Sequence, residues 1–313
     1  MDKIKGALVR IPLRLWMIFC ALTVVYPLCW NLISSLKSNT EIMESPWSLP
    51  EQLHWENYVS AFEKANMGEY FLNSILVVVA AVCLHLLLVI PLTYVLSRYR
   101  FPGSRLVFGL LTACIFIQEP YILVSLYLQL SKVGLLDHLL VVAVVYAVVR
   151  MPFSVFLLSG FMKSIPVYYE QAAMLDGCSY TRILWRIVTP LAKPGIFTVG
   201  LLAALGYWNE YAIALTLISS EQKFTLPVGL VNLYEVQRYA TDWGALFAGL
   251  MIVLIPTVLD FYISRPLPFP DFKVQRPGPP AAPKAVLFGV LLFFIRNNRK
   301  GLFIMRGWDV FIW

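Results

Sequence analysis

Charged side chains are scarce in this sequence of 313 residues. Only 14% of the residues are Asp, Glu, Lys or Arg, whereas 59% are hydrophobic. A water-soluble domain carries about 25% charged and about 45–50% apolar residues. Because one core cannot bury so large an apolar surplus, lipid must solvate much of it. The scarcity of charge excludes an ordinary soluble protein and predicts a membrane protein.

Histidine, cysteine and nucleotide-binding motifs are also sparse. The three histidines fall on different segments, so they do not form the clustered constellation of an active site or metal centre. Four of the five cysteines lie within apolar runs, and none has the paired spacing of a zinc site or a disulfide framework. The sequence contains no Gly-x-x-x-x-Gly-Lys-Ser/Thr phosphate loop. We therefore expect no enzyme activity, metal or cofactor in this chain itself.

Long apolar runs, by contrast, are abundant. Six of them approach the ~20 residues that a helix needs to cross a bilayer. They cover residues 15–35, 71–96, 106–130, 139–162, 195–217 and 243–263. Because lipid offers the backbone no hydrogen bonds, each run should be helical. The sequence predicts an all-α membrane protein of six transmembrane helices, with kinks at Pro27, Pro91, Pro120, Pro152 and Pro256.

The net charge of +7 comes from basic residues in the loops between these runs, so nucleic acid is not an expected partner. With a cytoplasmic N-terminus, the inner loops hold eleven basic residues and the outer loops five, which predicts cytoplasmic termini. We divide the chain into a cytoplasmic segment 1–14, a six-helix domain 15–265 with an inner loop 163–194, and an atypical Pro-rich and basic tail 266–313. Residues 260–313 are expected to be a different reading frame or a divergent extension that packs poorly.

The inner loop carries the most informative pattern. It reads EQAAMLDG over residues 170–177 and IVTPLAKPG over residues 187–195. These residues predict a short helix, a break at Gly177, a second helix and a stop at Pro190. From the residues alone, the loop is either a plain connector or a helical hairpin that passes force from a docked partner into the membrane helices.

This loop resembles the EAA signature of binding-protein-dependent ATP-binding-cassette (ABC) importer permeases. In that signature a Glu-Ala-Ala-x-x-x-Asp-Gly run precedes Ile-x-Leu-Pro at a fixed distance, and the thirteen-residue step from Gly177 to Pro190 agrees with it. Other motifs resemble the carbohydrate subgroup, typified by the smaller permease of the maltose importer. They are Ser35-Leu36-Lys37, Asn73-Ser74, YVLSRYRFPGSR at 94–105, Gly134-Leu135-Leu136-Asp137 and Trp208-Asn209-Glu210-Tyr211. The resemblance covers residues 16–259.

The chain departs from the family at the signature itself. In this alignment Gln171 holds the signature's glutamate position, with Glu170 one residue earlier, and Thr189 replaces the leucine before Pro190. A lost carboxylate would weaken a charge contact to an ATPase without removing the helix. After Leu259, the family's Gly-rich basic tail is missing.

The resemblance implies a permease subunit of the bacterial inner membrane, with a type I ABC importer permease fold, that forms half of a pathway for a sugar or oligosaccharide. It implies four kinds of partner: membrane lipid, a second permease subunit, two ATPases that hold ATP and Mg²⁺, and an extracytoplasmic solute-binding protein. Loop 166–190 would be the coupling helix. The residues implied in coupling are Glu170, Gln171, Ala172, Ala173, Asp176, Gly177 and Pro190.

Charged residues inside the predicted spans are the other candidates for function. Glu119 and Arg150 lie fourteen and thirteen residues from the inner ends of their spans, which places both about 20 Å above the cytoplasmic side. A lone charge there costs at least about 2.5–3.5 kcal/mol, so both should face the bundle interior or water. They either form a mutual ion pair, or Arg150 attracts an acidic sugar while Glu119 holds it in place. Asn209 and Glu210 lie at similar height and could contact hydroxyl groups of a solute.

Two other classes of membrane protein stay open on the sequence alone. A secondary transporter would normally show inverted repeats, and we find no internal repeat. A membrane-embedded enzyme would need a cluster of catalytic side chains at one depth, and the histidines do not supply it. Co-purification with an ATPase would separate the importer from both.

Overall fold

A computed structural model describes residues 2–64, 66–240 and 242–264, and within these ranges every regular element is helical. The main helices are α1 (Asp2–Ser34), α2 (Asn39–Glu44), α3 (Glu56–Lys64), α4 (Met67–Arg98), α5 (Ser104–Cys114), α6 (Pro120–Lys132), α7 (Leu139–Val149), α8 (Met151–Ser164), α9 (Tyr168–Leu175), α10 (Tyr180–Ile183), α11 (Thr189–Leu191), α12 (Lys193–Trp208), α13 (Ala212–Leu217), α14 (Leu226–Ala240) and α15 (Trp243–Ser264). A π-turn at Leu184–Val188 joins α10 to α11, and a 3₁₀ turn covers Glu221–Lys223. The predicted tail 266–313 lies outside the described residues.

Helix α4 is the central element of the bundle, because it packs against α7, α8, α12 and α14. Its buried face advances in steps of four residues through Val77, Ala81, His85 and Val89, the spacing that keeps side chains on one helix face. Helix α4 contributes residues to each of three buried hydrophobic clusters in the described part of the chain. The position of α4 therefore fixes where the shorter helices meet.

The lengths of the helices show which of them could cross a membrane. Among the described residues, two helices, Arg14–Ser34 and Met67–Arg98, are long and apolar enough to cross a membrane by themselves. Two bent pairs raise that number to four: α7 with α8, bent by 49°, and Tyr180–Leu191 with α12, bent by 80°. Ser104–Cys114 and Trp243–Leu259 are shorter apolar helices. The count of six spans, the division of the chain and the cytoplasmic termini stay predictions.

Three of the predicted spans are not continuous helices, which corrects the sequence-based assignment. The run 106–130 breaks between α5 and α6, and the run 139–162 breaks at Arg150. Both breaks precede a proline near the start of the following helix, which has no N–H for the helical hydrogen-bond ladder. The run 195–217 breaks between α12 and α13, where the sequence has no proline. Helices α1, α4 and α15 continue through their prolines.

The connections before α7 and after α13 are tied together by Asp137, which precedes α7 and has a left-handed backbone with φ of +63°. Its Oδ1 accepts hydrogen bonds from the backbone N–H groups of Ser219 (3.1 Å) and Ser220 (2.9 Å). Its Oδ2 accepts from the Ser220 hydroxyl (2.6 Å) and the Lys223 ammonium (2.7 Å). One carboxylate thus joins the loop before α7 to the loop after α13.

Asp137 gives this pair of connections a testable pH dependence. Hydrogen bonds from Lys223 and Ser220 hold the pKa of the Asp137 carboxyl well below its ordinary value, so the ionised form stabilises the folded chain. That stabilisation is complete above the ordinary carboxyl pKa of about 4, and it is lost as the pH falls toward the lower folded-state pKa. We expect Asp137→Asn to lower the melting temperature of the purified chain near neutral pH, with a smaller difference at about pH 3.

The matched control is Glu44→Gln, because Glu44 is exposed and has no ion pair among the described residues. It should leave the melting temperature unchanged at either pH. If Asp137→Asn lowers the melting temperature by the same amount at both pH values, the ionised carboxylate does not have the stabilising role described here.

Candidate functional site

The three helix breaks lie side by side and form the candidate functional site. Glu119 stands directly before α6, Arg150 stands between α7 and α8, and Glu210 stands between α12 and α13. Each break thus carries one charged residue. Contacts between their side chains connect the breaks across the bundle.

Glu119 and Arg150 form an ion pair, with 3.1 Å between Glu119 Oε1 and Arg150 Nη2. About a third of each side chain is exposed, so the pair is not sealed inside the protein. The Arg150 guanidinium also lies 5.9 Å from the centre of the Tyr207 ring, within range of a cation–π interaction. Gly206 leaves room for the guanidinium, because a Cβ atom there would collide with it.

Glu210 is brought close to this group but is buried rather than open to a pathway. Its carboxylate accepts hydrogen bonds from the N–H groups of Ile213 (2.7 Å) and Ala214 (3.2 Å), in the first turn of α13. It also accepts one from the Tyr146 hydroxyl (2.5 Å). The ring of Tyr146 stacks on Tyr207 at 5.4 Å, so contacts run without a gap from Glu119 to Glu210.

Asn209 is not part of this network. Its side chain is exposed and donates a hydrogen bond to the Leu205 carbonyl in the preceding turn (2.9 Å). The structure thus unites Glu119, Arg150 and Glu210 and leaves Asn209 apart.

A cavity of about 250 Å³ opens at the ion pair. Apart from Glu119, Arg150 and Ser154, its lining is apolar and comes from α5, α7, α8 and α12 and from the segment between α5 and α6. A mostly apolar cavity with a few convergent polar groups is the usual form of a small-molecule site.

Sequence reasoning did not find the residues that support the ion pair. Gly206, Tyr146 and Tyr207 carry no charge and lie inside apolar runs, where nothing distinguishes them from packing residues. His85 was interpreted as structural, and its surroundings agree: buried, it donates from Nδ1 to the Ala147 carbonyl (2.8 Å) and its Nε2 lies 2.7 Å from the Ser154 hydroxyl. Ala147 belongs to the last turn of α7, whose carbonyls have no partner within the helix.

The inner loop is a second candidate region, and α9 is anchored to α4 by its acidic residue. Glu170 is buried, with its Oε1 2.7 Å from Arg98 Nε, and it accepts a hydrogen bond from the Tyr94 hydroxyl (3.0 Å). Arg98 also donates to the Ile165 carbonyl (2.7 Å). Removing one partner of a buried ion pair costs about 3–5 kcal/mol, so this contact holds α9 firmly against the membrane helices.

Gly177 ends α9 in a left-handed conformation, with φ of +76°. The N–H of Gly177 bonds to the Met174 carbonyl, and the N–H of Cys178 bonds to the Ala173 carbonyl, both at 3.0 Å. This pair of bonds is the Schellman motif, which favours glycine at the left-handed position. The predicted break at Gly177 therefore has a defined geometry.

The predicted coupling residues divide between the two sides of α9. Glu170 and Ala173 point inward and are buried. The exposed members are Gln171, Ala172, Asp176, Gly177 and Pro190. Leu175, at 90% exposure, lies beside them and was not among the predicted residues.

One detail of the inner-loop prediction needs correction. Pro190 does not stop the second helix, which runs on to Leu191 and then bends by 80° into α12. The π-turn before Pro190 explains this, because it shifts the backbone bonding so that the Thr189 N–H reaches the Leu184 carbonyl.

Comparison with known proteins places the chain among transport proteins. The family model described as "Binding-protein-dependent transport system inner membrane component" matches residues 69–265. The chain is 35% identical over 264 residues to the diacetylchitobiose uptake system permease protein NgcG of Streptomyces coelicolor, covering 84% of this chain and 86% of that protein. It is 31% identical over 237 residues to the sulfoquinovosyl glycerol transport system permease protein SmoH of Agrobacterium fabrum, covering 75% and 82%.

A solved structure shows the same fold. A chain from the crystal structure of a bacterial ABC transporter involved in the import of the acidic polysaccharide alginate superposes with a TM-score of 0.72 at 24% identity, covering 84% of this chain and 96% of that one. The fold is that of a type I ABC importer permease. With a family model matching well over half of its length, the chain belongs to the binding-protein-dependent transport system inner membrane components.

Proposed function

We propose that this chain is a permease subunit of an ATP-driven importer for a sugar or oligosaccharide. The observation that carries the proposal is the relative with 35% identity across most of both chains, whose name assigns it to diacetylchitobiose uptake. The second relative is likewise named for a sugar-containing solute. Neither a secondary transporter nor a membrane-embedded enzyme finds support in the family match.

The partners follow from the division of labour in such importers. A solute-binding protein would deliver the sugar, a second permease would supply the other half of the pathway, and two ATPases would hold ATP and Mg²⁺. The family description supports the dependence on a binding protein. The six predicted spans with cytoplasmic termini place α9 on the ATPase side and the Asp137 loop on the outer side.

The ion pair of Glu119 and Arg150 is the proposed solute contact within this chain. Its two charges compensate each other, and both remain partly exposed beside the cavity. A neutral sugar can offer hydroxyl groups to both ions, because a hydroxyl donates to a carboxylate and accepts from a guanidinium. The compensated pair thus favours a neutral solute over an acidic one, which would need an unpaired arginine.

The exposed face of α9 is the proposed ATPase contact. Gln171, Ala172, Leu175 and Asp176 present a small and partly apolar surface, while Glu170 and Ala173 fasten the helix to the membrane domain. This arrangement suits a coupling helix, since a push on α9 is passed through the Glu170–Arg98 pair to α4.

The function is tested by expressing the chain together with the candidate ATPase, second permease and binding protein of the importer. We expect the chain to co-purify with the ATPase, and the reconstituted complex to take up a neutral oligosaccharide such as diacetylchitobiose only when ATP is present. ATP-independent uptake, or a chain that retains no ATPase, would refute the proposal.

Gly177 allows coupling to be separated from helix capping. Asparagine tolerates the left-handed conformation better than other side chains. Apart from the two adjacent residues, no atom of the described residues lies within 4 Å of a Cβ built at Gly177. We expect Gly177→Asn to abolish uptake at an unchanged membrane level, because the added side chain obstructs close docking of the ATPase. The matched control is Gly134→Asn in the outer loop, where φ is +68° and the surroundings are equally open. Near-normal uptake by Gly177→Asn would mean that Gly177 only caps α9.

Gly206 tests the proposed solute contact. In Gly206→Ala the new methyl group would displace the flexible Arg150 guanidinium from its place beside Glu119. Loss of one charge-assisted hydrogen bond, about 1.5–3 kcal/mol, predicts a fall in uptake of about tenfold or more. Gly200→Ala is the control in the same helix, since its methyl group would meet Leu86 at an ordinary 3.4 Å. Equal uptake by the two variants would show that the ion pair is not part of the solute pathway.

A further inference from the structure

A second cavity, of about 620 Å³, lies where α4 ends and α5 begins. Its lining includes four basic residues, which are Arg98, Arg100, Arg105 and Lys163. Arg98 is paired with Glu170 in the interior. The other three have no carboxylate partner among the residues that the structure describes. This cavity, which we call the basic pocket, therefore presents three uncompensated positive charges.

Two further features of the basic pocket suit an anion. The N-terminus of α5 opens at Gly103 and Ser104 without a side-chain cap, so its backbone N–H groups and positive dipole end face the same region. Ser97 also lines the pocket, and its hydroxyl is buried without a hydrogen-bond partner in the described part of the chain. A bound oxyanion would lie beside the N-terminal end of α5 and the Ser97 side chain.

The surface around the pocket is apolar. Helix α5 has no buried residue, and its Leu106, Val107 and Leu110 are exposed, as is Phe101 at the pocket itself. In a membrane protein such a face lies against acyl chains. An anion that carries acyl chains fits both the charged pocket and the apolar helix beside it, whereas an ATPase carboxylate would use only the charge.

We propose that the basic pocket binds the phosphate group of an anionic phospholipid from the cytoplasmic leaflet, with its acyl chains along α5. The inference goes beyond the proposed transport function and rests on it only for the orientation of the chain. Basic pockets between transmembrane helices on the cytoplasmic side are suited to anionic headgroups. Through Arg98 the pocket borders the pair that anchors α9, so the lipid lies next to the coupling helix.

The test uses the full-length chain in neutral detergent and native mass spectrometry to measure bound phosphatidylglycerol, phosphatidylcholine and inorganic phosphate. The pocket variant is Arg100→Gln with Arg105→Gln, two exposed side chains whose loss leaves the interior intact. The control, Arg14→Gln with Lys132→Gln, removes the same charge from exposed sites elsewhere. Each basic residue near an anionic surface raises the binding constant by a factor of about five. Because the pocket variant loses two such residues, we expect it to bind phosphatidylglycerol about 30-fold more weakly.

The wild-type chain and the control should prefer phosphatidylglycerol to phosphatidylcholine equally, and inorganic phosphate should not displace the lipid. Lys163→Gln on α8 provides a second pocket variant should the double variant fold poorly, and it should weaken lipid binding about fivefold. If the pocket variant and the control bind phosphatidylglycerol equally, the basic pocket is not the lipid site. If inorganic phosphate displaces the lipid, the ligand of the pocket is phosphate rather than a phospholipid. Normal lipid binding with loss of the co-purified ATPase would assign the pocket to the ATPase instead. If the chain supports uptake but fails this binding test, only the proposed lipid site is refuted, and the proposed transport function stands.

Discussion

The need to satisfy backbone hydrogen bonds in lipid governs this structure. A broken helix frees N–H and C=O groups, and hydrocarbon offers them no partner. The chain breaks three helices side by side, and at two of these breaks a side chain from the protein interior takes over freed backbone groups. Glu210 accepts two N–H groups at the start of α13, and His85 donates to a carbonyl at the end of α7. These two breaks are tolerated because polar residues are already placed to meet them.

Two residues of α4, His85 and Arg98, connect the two candidate functional regions. His85 joins α4 to the break at Arg150, and Arg98, thirteen residues further along α4, joins it to Glu170 on α9. At 1.5 Å per residue these contacts are about 20 Å apart along one helix. Helix α4 is continuous between these two points and contains Pro91 between them. It therefore connects the inner loop to the helix break that carries Arg150.

Much of the architecture could be predicted from the sequence, because the signals were local. Apolar runs located the helices, and a glycine after a short amphipathic helix located the break at Gly177. The break at Glu210 could not be predicted, since it depends on a carboxylate that caps α13 rather than on a proline. The inward orientation of the Glu170 side chain could not be predicted either, because its partners Tyr94 and Arg98 are more than seventy residues away in the chain. Long-range pairing of this kind leaves no periodic trace in the sequence.

The helix breaks also explain why charge survives in the membrane domain at all. A lone charge near the middle of a bilayer costs at least about 2.5–3.5 kcal/mol, so an unbroken span would gain stability by losing it. At a break, however, the backbone itself needs polar partners and opens a cavity that admits polar groups. Glu119 and Arg150 neutralise each other across two such breaks, and Gly206 opens the space that the guanidinium occupies. Their partial exposure to the cavity separates them from Glu210, which is buried and bonded to the first turn of α13 and to the Tyr146 hydroxyl. The charges exposed beside the cavity are therefore those of the pair, whereas the nearby Glu210 carboxylate is buried.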